Sequence, residues 1–201
     1  MTVLYGAPTT RRQDAQRNRA AILQAATEVM TGGGSGLPMP EIARRAGVGQ
    51  ATLYRHFPDR SALVEGVIDD QLRLLESVAA AGAGEPAVFR HLLREVLHAQ
   101  IAMRPLVVLA RRLDPGSRHR YRRRLLAAFA EPLRCARAGG DVRGDLVPDD
   151  LMLLFTMVQS VAEATDDVAL ARAAADRAVD LVLDGVFRER DKRQAGRDGQ
   201  Q

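Results

Sequence analysis

The 201-residue chain has one cysteine, no tryptophan, three tyrosines and five phenylalanines. The lone Cys135 excludes an intramolecular disulfide and any metal site built from several thiolates, and leaves a small buried hydrophobe as its expected role. Aromatic residues make up 4% of a chain that is 46% hydrophobic, so Leu, Val and Ala must fill the core. These are the materials of packed helices rather than of β-sandwiches, and the expected fold class is all-α, with about nine helices. No run of about 18 apolar residues is present, and no apolar leader follows the first residues, so neither a membrane span nor secretion is expected and the cytoplasm is the expected compartment. A phosphate loop is also missing: the glycines between Gly32 and Gly36 follow no strand and precede no Gly-Lys-Ser/Thr. No serine or histidine stands in a motif that would set a nucleophile beside its base, so enzymatic function is not expected and no cofactor is implied.

What is present is an uneven charge distribution. Arginines and lysine exceed acids by only four overall, yet residues 1 to 60 hold eight Arg against four acids and the remainder is balanced. The excess therefore falls around one short stretch, Gly47 to Phe57, as expected of an end that meets phosphate. Glu41 to Ala46 reads as a short helix, and Gly47 stands where a helix C-terminus favours a residue able to take positive φ. From Gln50 the pattern is helical again. Leu53 and Phe57 share one face, while Gln50, Thr52, Tyr54, Arg55 and His56 are left for others. Helix, glycine turn, helix is the geometry that places a second helix in a DNA major groove.

Along the chain, residues 1–12 read as a flexible arm carrying Arg11 and Arg12, able to follow the DNA backbone or enter the minor groove. Residues 13–60 form the expected DNA-binding domain, 61–190 a helical ligand-binding and dimerisation domain, and 191–201 a disordered tail. Helix one is expected from Asp14 to Met30, helix two from about Pro40 to Ala46, and helix four from about Asp59, with Asp59 or Ser61 as its cap. Helix five runs from about Glu85 to Met103 and is divided from a short sixth by Pro105. Asp114-Pro115-Gly116 is a strong stop, after which helix seven spans about Ser117 to Ala138 with a possible bend at Pro132. The segment from Asp149 to Thr165 is apolar nearly all round and must be covered on more than one side. With the last helix, about Val168 to Glu189, it makes the expected dimer interface, for which Leu154, Val158, Val161, Val179, Leu183 and Val186 are the candidates.

The string Glu41-Ile42-Ala43-Arg44-Arg45-Ala46-Gly47-Val48, then Thr52-Leu53-Tyr54-Arg55-His56-Phe57, then Asp59-Arg60 and Leu63, closely resembles the TetR family of bacterial transcriptional repressors. The resemblance covers about the first 75 residues and implies a homodimer on near-palindromic double-stranded DNA, released by a small-molecule effector whose identity is unknown. A ligand-insensitive or activating regulator would share the motif. Carried over, the resemblance has Gln50 and Thr52 approach bases or nearby phosphates, Tyr54 and His56 hold the backbone, and Arg60 take a phosphate. Arg55 is a further base-reading candidate, and Arg44, Arg45 and Ala51 complete the candidate DNA-binding set. Gln pairs well with adenine, Thr meets the thymine methyl and Arg favours guanine or phosphate. Two positions depart from the family pattern: Pro38 and Gly49 stand where many relatives have a Ser or Thr that caps a helix and bonds a phosphate. Arg44, Arg45 or the arm would then compensate.

Two further groups stand out. His91, Glu95 and His98 fall at i, i+4 and i+7, but with no fourth ligand in view a polar helix face is favoured over a metal site. The histidines could instead line an effector pocket with Phe129, Met152, Phe155 and Gln159. The basic run Arg111, Arg112, Arg118, His119, Arg120 and Arg122 to Arg124 is a solvated face, an anion site or a DNA-proximal surface.

Overall fold

The structure, a computed structural model, describes residues 8–32, 37–85, 87–164 and 167–188. Nine helices are found among them: α1 (Pro8–Thr31), α2 (Met39–Arg45), α3 (Gln50–His56), α4 (Arg60–Ala81), α5 (Ala87–Ala102), α6 (Arg104–Ala110), α7 (Pro115–Ala138), α8 (Pro148–Ala162) and α9 (Val168–Val186). The fold is all-α, as composition predicts, and none of the described helices is long and apolar enough to cross a membrane. The expected tail and the first seven residues of the expected arm lie outside the described residues. The rest of that arm, from Pro8, is already α1, because proline's missing N–H and fixed φ suit a first helical position.

The chain divides into two compact units, Met1–Arg73 with Ala102–Tyr121, and Leu74–Ile101 with Arg122–Gln201. The first is larger than the expected 13–60 segment: it takes in most of α4, all of α6 and the start of α7. Its core is set by the inward stripe of α1, including Ile22, Ala26 and Met30, against Ile42, Leu53 and Leu63, all fully buried. Asp114 and Pro115, read from sequence as a stop, also start the next helix: the Asp114 carboxylate accepts from the Ser117 N–H at 3.0 Å and Pro115 opens α7.

The second unit is built around rings. Phe89 of α5 lies 6.0 Å from Phe129 of α7 in an edge-to-face arrangement and 5.6 Å from Phe187, and Phe129 lies 6.0 Å from Phe155 of α8. Pro132 lies inside α7, which runs on to Ala138. There Gly140, at φ 71°, closes the helix with paired bonds from Gly140 N to Arg137 O and from Asp141 N to Ala136 O. A single antiparallel bridge then joins Val142 to Phe187, fixing the end of α9 against the segment before α8. Asp167 caps α9 by accepting from Ala169 N and Leu170 N at 2.9 and 3.0 Å.

Candidate nucleic-acid interface

The turn between α2 and α3 is made by one glycine. Gly47 adopts φ 66°, its N–H donates to Arg44 O at 3.2 Å and the Val48 N–H reaches back to Ala43 O at 3.0 Å, the double closure that ends a helix sharply. Gly49 then serves as the N-cap of α3 and Pro38 as that of α2, neither with a side-chain hydrogen bond. Both positions thus lack the hydroxyl that the family pattern would place there. The first-turn N–H groups of α3 still find a partner, since Thr52 N and Leu53 N both donate to the Gly49 carbonyl.

α3 is held from below by two anchors, Leu53 at 0% exposure and Phe57 at 1%. Phe57 ends the helix in extended geometry, followed by Pro58, and its ring slides against α4 at Gly66. A Cβ at Gly66 would stand 2.6 Å from Phe57 Cε1, so glycine is what lets the ring lie there. The Arg19 guanidinium sits 4.6 Å from the centre of the same ring. Asp59 caps α4 by accepting from Ala62 N at 2.8 Å, which leaves Arg60 exposed in the first turn.

With the anchors facing inward, Gln50, Ala51, Tyr54 and Arg55 are exposed and Thr52 and His56 half-buried. Arg55 donates to Thr52 Oγ1 at 2.9 Å, which leaves that hydroxyl's own proton free to donate outward. On α2, Arg44 and Arg45 are exposed, and both are engaged by Glu41. Arg44 meets it through two bonds of 2.8 and 2.7 Å and Arg45 through one of 2.7 Å. The paired guanidinia pull the Glu41 carboxyl down to about 2. All nine candidate DNA-binding residues thus lie on the helix pair and the first turn of α4, with their polar groups outside the core.

The candidate effector residues are not gathered in the same way. Phe129 and Phe155 share the ring cluster, Met152 is half-buried, and Gln159 is buried with its Nε2 donating to Glu163 Oε1 at 2.7 Å and its Oε1 without a partner among the described residues. His91 and His98, by contrast, occupy the exposed face of α5, opposite Phe89, Leu93 and Leu97; His98 Nδ1 lies 3.6 Å from Asp176. The phase of α5 therefore separates the two histidines from the aromatic cluster. Glu95 is exposed beside them.

The candidate dimer residues divide similarly. Val158, Val179, Leu183 and Val186 are buried in their own protomer, whereas Leu154 and Val161 are half-exposed. The large apolar groups that α8 and α9 expose are others: Leu153 (63%) and Met157 (58%), each one position before a candidate, and Leu170 (60%) and Leu181 (55%) on α9. With Leu154, Val161 and Val182, the side chains of Leu153, Met157 and Leu181 line a shallow concavity of roughly 550 Å³. An all-round apolar helix gives no polar face from which to set its phase, so the sequence of α8 does not separate exposed Leu153 and Met157 from their buried neighbours.

Of the basic run, Arg120 binds Glu65 at 2.9 Å, Arg122 binds Asp149 at 2.8 Å and Arg124 is bidentate on Glu76 at 2.9 and 3.0 Å. Three of its eight residues are thereby engaged by carboxylates of the chain itself. Glu65 also accepts from Ser117 and Tyr121, a part-buried cluster that no local sequence signal announces, since its partners lie more than fifty residues apart.

Two family models match the chain: bacterial regulatory proteins of the tetR family over residues 22–67, and the C-terminal domain of SbtR-like transcriptional regulators over residues 83–188. A TetR transcription regulatory protein from Mycobacterium vanbaalenii is 31% identical, with 88% of this chain and 99% of that one covered and a TM-score of 0.65. A TetR transcriptional regulator from Streptomyces coelicolor is 28% identical over 84% of this chain and 98% of its own, also at 0.65. An uncharacterised HTH-type transcriptional regulator of Mycobacterium tuberculosis is 28% identical over 72% of this chain and 77% of its own length. A helix pair with a glycine turn, two buried anchors and an exposed polar face, carried on an all-α scaffold that matches along nearly its whole described length, places this chain in the TetR family of helix-turn-helix transcriptional regulators.

Proposed function

We propose that the chain acts in the cytoplasm as a homodimeric repressor that binds a near-palindromic operator and leaves it when a small molecule occupies the C-terminal helical domain. The observation that carries this reading is the division of α3: Leu53 and Phe57 are fully buried, while Gln50, Ala51, Tyr54 and Arg55 are exposed. Gln50, Thr52 and Arg55 would reach base edges; Tyr54, His56, Arg44, Arg45 and Arg60 would take phosphates. With no capping hydroxyl at Pro38 or Gly49, the arginines of α2 carry more of the backbone contact.

Dimerisation through α8 and α9 is supported by the exposed Leu153, Met157 and Leu181, with Leu154 and Val161 at their edge. An effector site is supported by Gln159: its Nε2 must face the Glu163 carboxylate, so its buried Oε1 points elsewhere and has no donor among the described residues. A tenant beside Phe129, Met152 and Phe155 could supply one. Such a molecule releases DNA only if it binds the non-binding arrangement of the dimer more tightly.

Selection of bound sites from a random duplex pool tests the reading. The expected outcome is an inverted repeat whose half-sites lie about 10 base pairs, or a multiple of that, apart. A pool that enriches no repeat overturns it.

A further inference from the structure

Between Leu37 and Arg60 the described chain has four arginines and two acids. One of the acids, Asp59, is occupied in capping α4. The other, Glu41, holds both arginines of α2 at once, in three hydrogen bonds of 2.7 to 2.8 Å. It is the less exposed partner of the set, 32% against 72% for Arg44 and 44% for Arg45. The carboxylate is thus seated on the helix while the two guanidinia fold back over it.

From this geometry we infer that Glu41 limits the strength of DNA binding, as an internal anion that competes with DNA phosphate for Arg44 and Arg45 and so holds down binding to any duplex, non-operator DNA included. The inference rests on the reading of α2 and α3 as the DNA-facing pair. A carboxylate and a phosphate oxygen offer the same acceptor geometry to a guanidinium, so each arginine can exchange one for the other. Exposed ion pairs of this kind are cheap to open, which makes the exchange reversible. A loose complex, making phosphate contacts alone, bears the cost of opening both pairs and leaves the Glu41 charge close to the backbone. An operator complex bears the same cost and stays tight because the base contacts of α3 are added to it. The carboxylate therefore lowers both affinities by about the same factor, which leaves the operator complex tight and the non-specific one weak. While the two pairs are closed, the hydrogen bonds from Arg44 and Arg45 hold the Glu41 carboxyl down to about 2, so the charge that competes with phosphate is present in the free protein at neutral pH.

Glu41→Gln removes the charge, keeps the length and frees both guanidinia. Titration of the full-length dimer with a duplex of scrambled sequence should show about threefold to tenfold tighter binding, the equivalent of two exposed pairs. The plot of log affinity against log salt should steepen by about one to two. Affinity for the selected operator should rise by a similar factor. In a background of Arg44→Gln with Arg45→Gln the same substitution should have no comparable effect. Equal or weaker binding of scrambled duplex by Glu41→Gln, in a protein with unchanged helicity and melting temperature, overturns the inference. So does a gain that persists undiminished in the double-Gln background, because it would then be bulk charge rather than release of these two side chains. Should Glu41→Gln fold poorly, Glu41→Asp shortens the carboxylate by one methylene while keeping the charge. A rise in non-specific affinity is expected there too, and no rise counts against the inference. Failure of the pool to enrich any operator would sink the repressor reading but leave the scrambled-duplex cycle readable by itself.

Discussion

The α2–α3 surface and the α8–α9 surface are both unburied, and they are unburied in opposite ways. On the first, the exposed groups are polar and already bonded to one another: Arg44 and Arg45 to Glu41, Arg55 to Thr52. Such a surface is complete in water and can trade its internal acceptors for those of DNA. On the second, Leu153, Met157 and Leu181 stand more than half exposed around a concavity. That surface is stable in water only at a cost, at about 25 cal/mol for each Å² of apolar area left wet, and is completed by being covered. A reader of nucleic acid has to remain available, whereas a subunit contact has to be closed.

The largest expected effect comes from removing what holds the reader in place. Phe57→Ala empties a fully buried ring site between α3 and α4 and should cost about 3–5 kcal/mol of stability. A calorimetric melt would show it, with loss of all duplex binding, operator and scrambled alike. A loss of less than about 1 kcal/mol would mean that the site collapses freely and that α3 is not fixed by its anchors. Next in size is the apolar face. Met157→Glu with Leu181→Glu should convert the dimer to monomer in sedimentation. Operator affinity should fall by about 100-fold or more, because the second recognition helix is then no longer tethered to the first. Scrambled-duplex binding should fall much less. A double variant that stays dimeric would place the subunit contact elsewhere.

How far each region could be read before its structure was known follows the same contrast. The reader is local: the turn at Gly47, the anchors Leu53 and Phe57 and the polar positions between them lie within eleven residues, so spacing alone assigns inside and outside. The cap at Asp59 was open to reading for the same reason. Gly66 was not, since its justification is a ring nine residues earlier that must lie where a Cβ would be. On α8 and α9 the segment and its need for cover were evident from its apolar length, but the choice of Val179 and Leu183 over Leu181 was a matter of phase. Phase in an all-apolar helix is decided by partners distant in sequence. His91 and His98 were misplaced toward a pocket because histidine suits either side of a helix, and only the packing of Phe89, Leu93 and Leu97 settles which face is inward. The division of the chain differs from the expected one for a related reason. α6 and the start of α7 join the N-terminal unit through contacts made more than thirty residues from the motif.

The smallest expected effect sharpens the comparison by testing a polar cluster whose carboxylate, Glu65, is as exposed as Glu41 (31% against 32%) but is bonded to two buried donors. Tyr121 is 8% exposed, and its hydroxyl donates to Glu65 Oε2 at 2.9 Å; Ser117 and Arg120 bind the same carboxylate at 3.2 and 2.9 Å. Burial raises the Tyr121 phenol above its usual value, so it remains a donor across the physiological range. Tyr121→Phe removes that donor and the acceptor that the same hydroxyl offers to half-exposed Arg120 at 3.2 Å, while Glu65 keeps two partners. The expected cost is about 1 kcal/mol, a melting shift of roughly 2–4 °C. A much larger loss would mean that the three bonds act cooperatively and that Glu65 cannot keep its place on two. No loss at all would mean that Ser117 and Arg120 satisfy it between them, as Glu41 by itself satisfies both arginines of α2. Either departure would show whether the burial of its partners, rather than the number of bonds, separates a carboxylate that holds two helices together from one that only holds arginines in reserve.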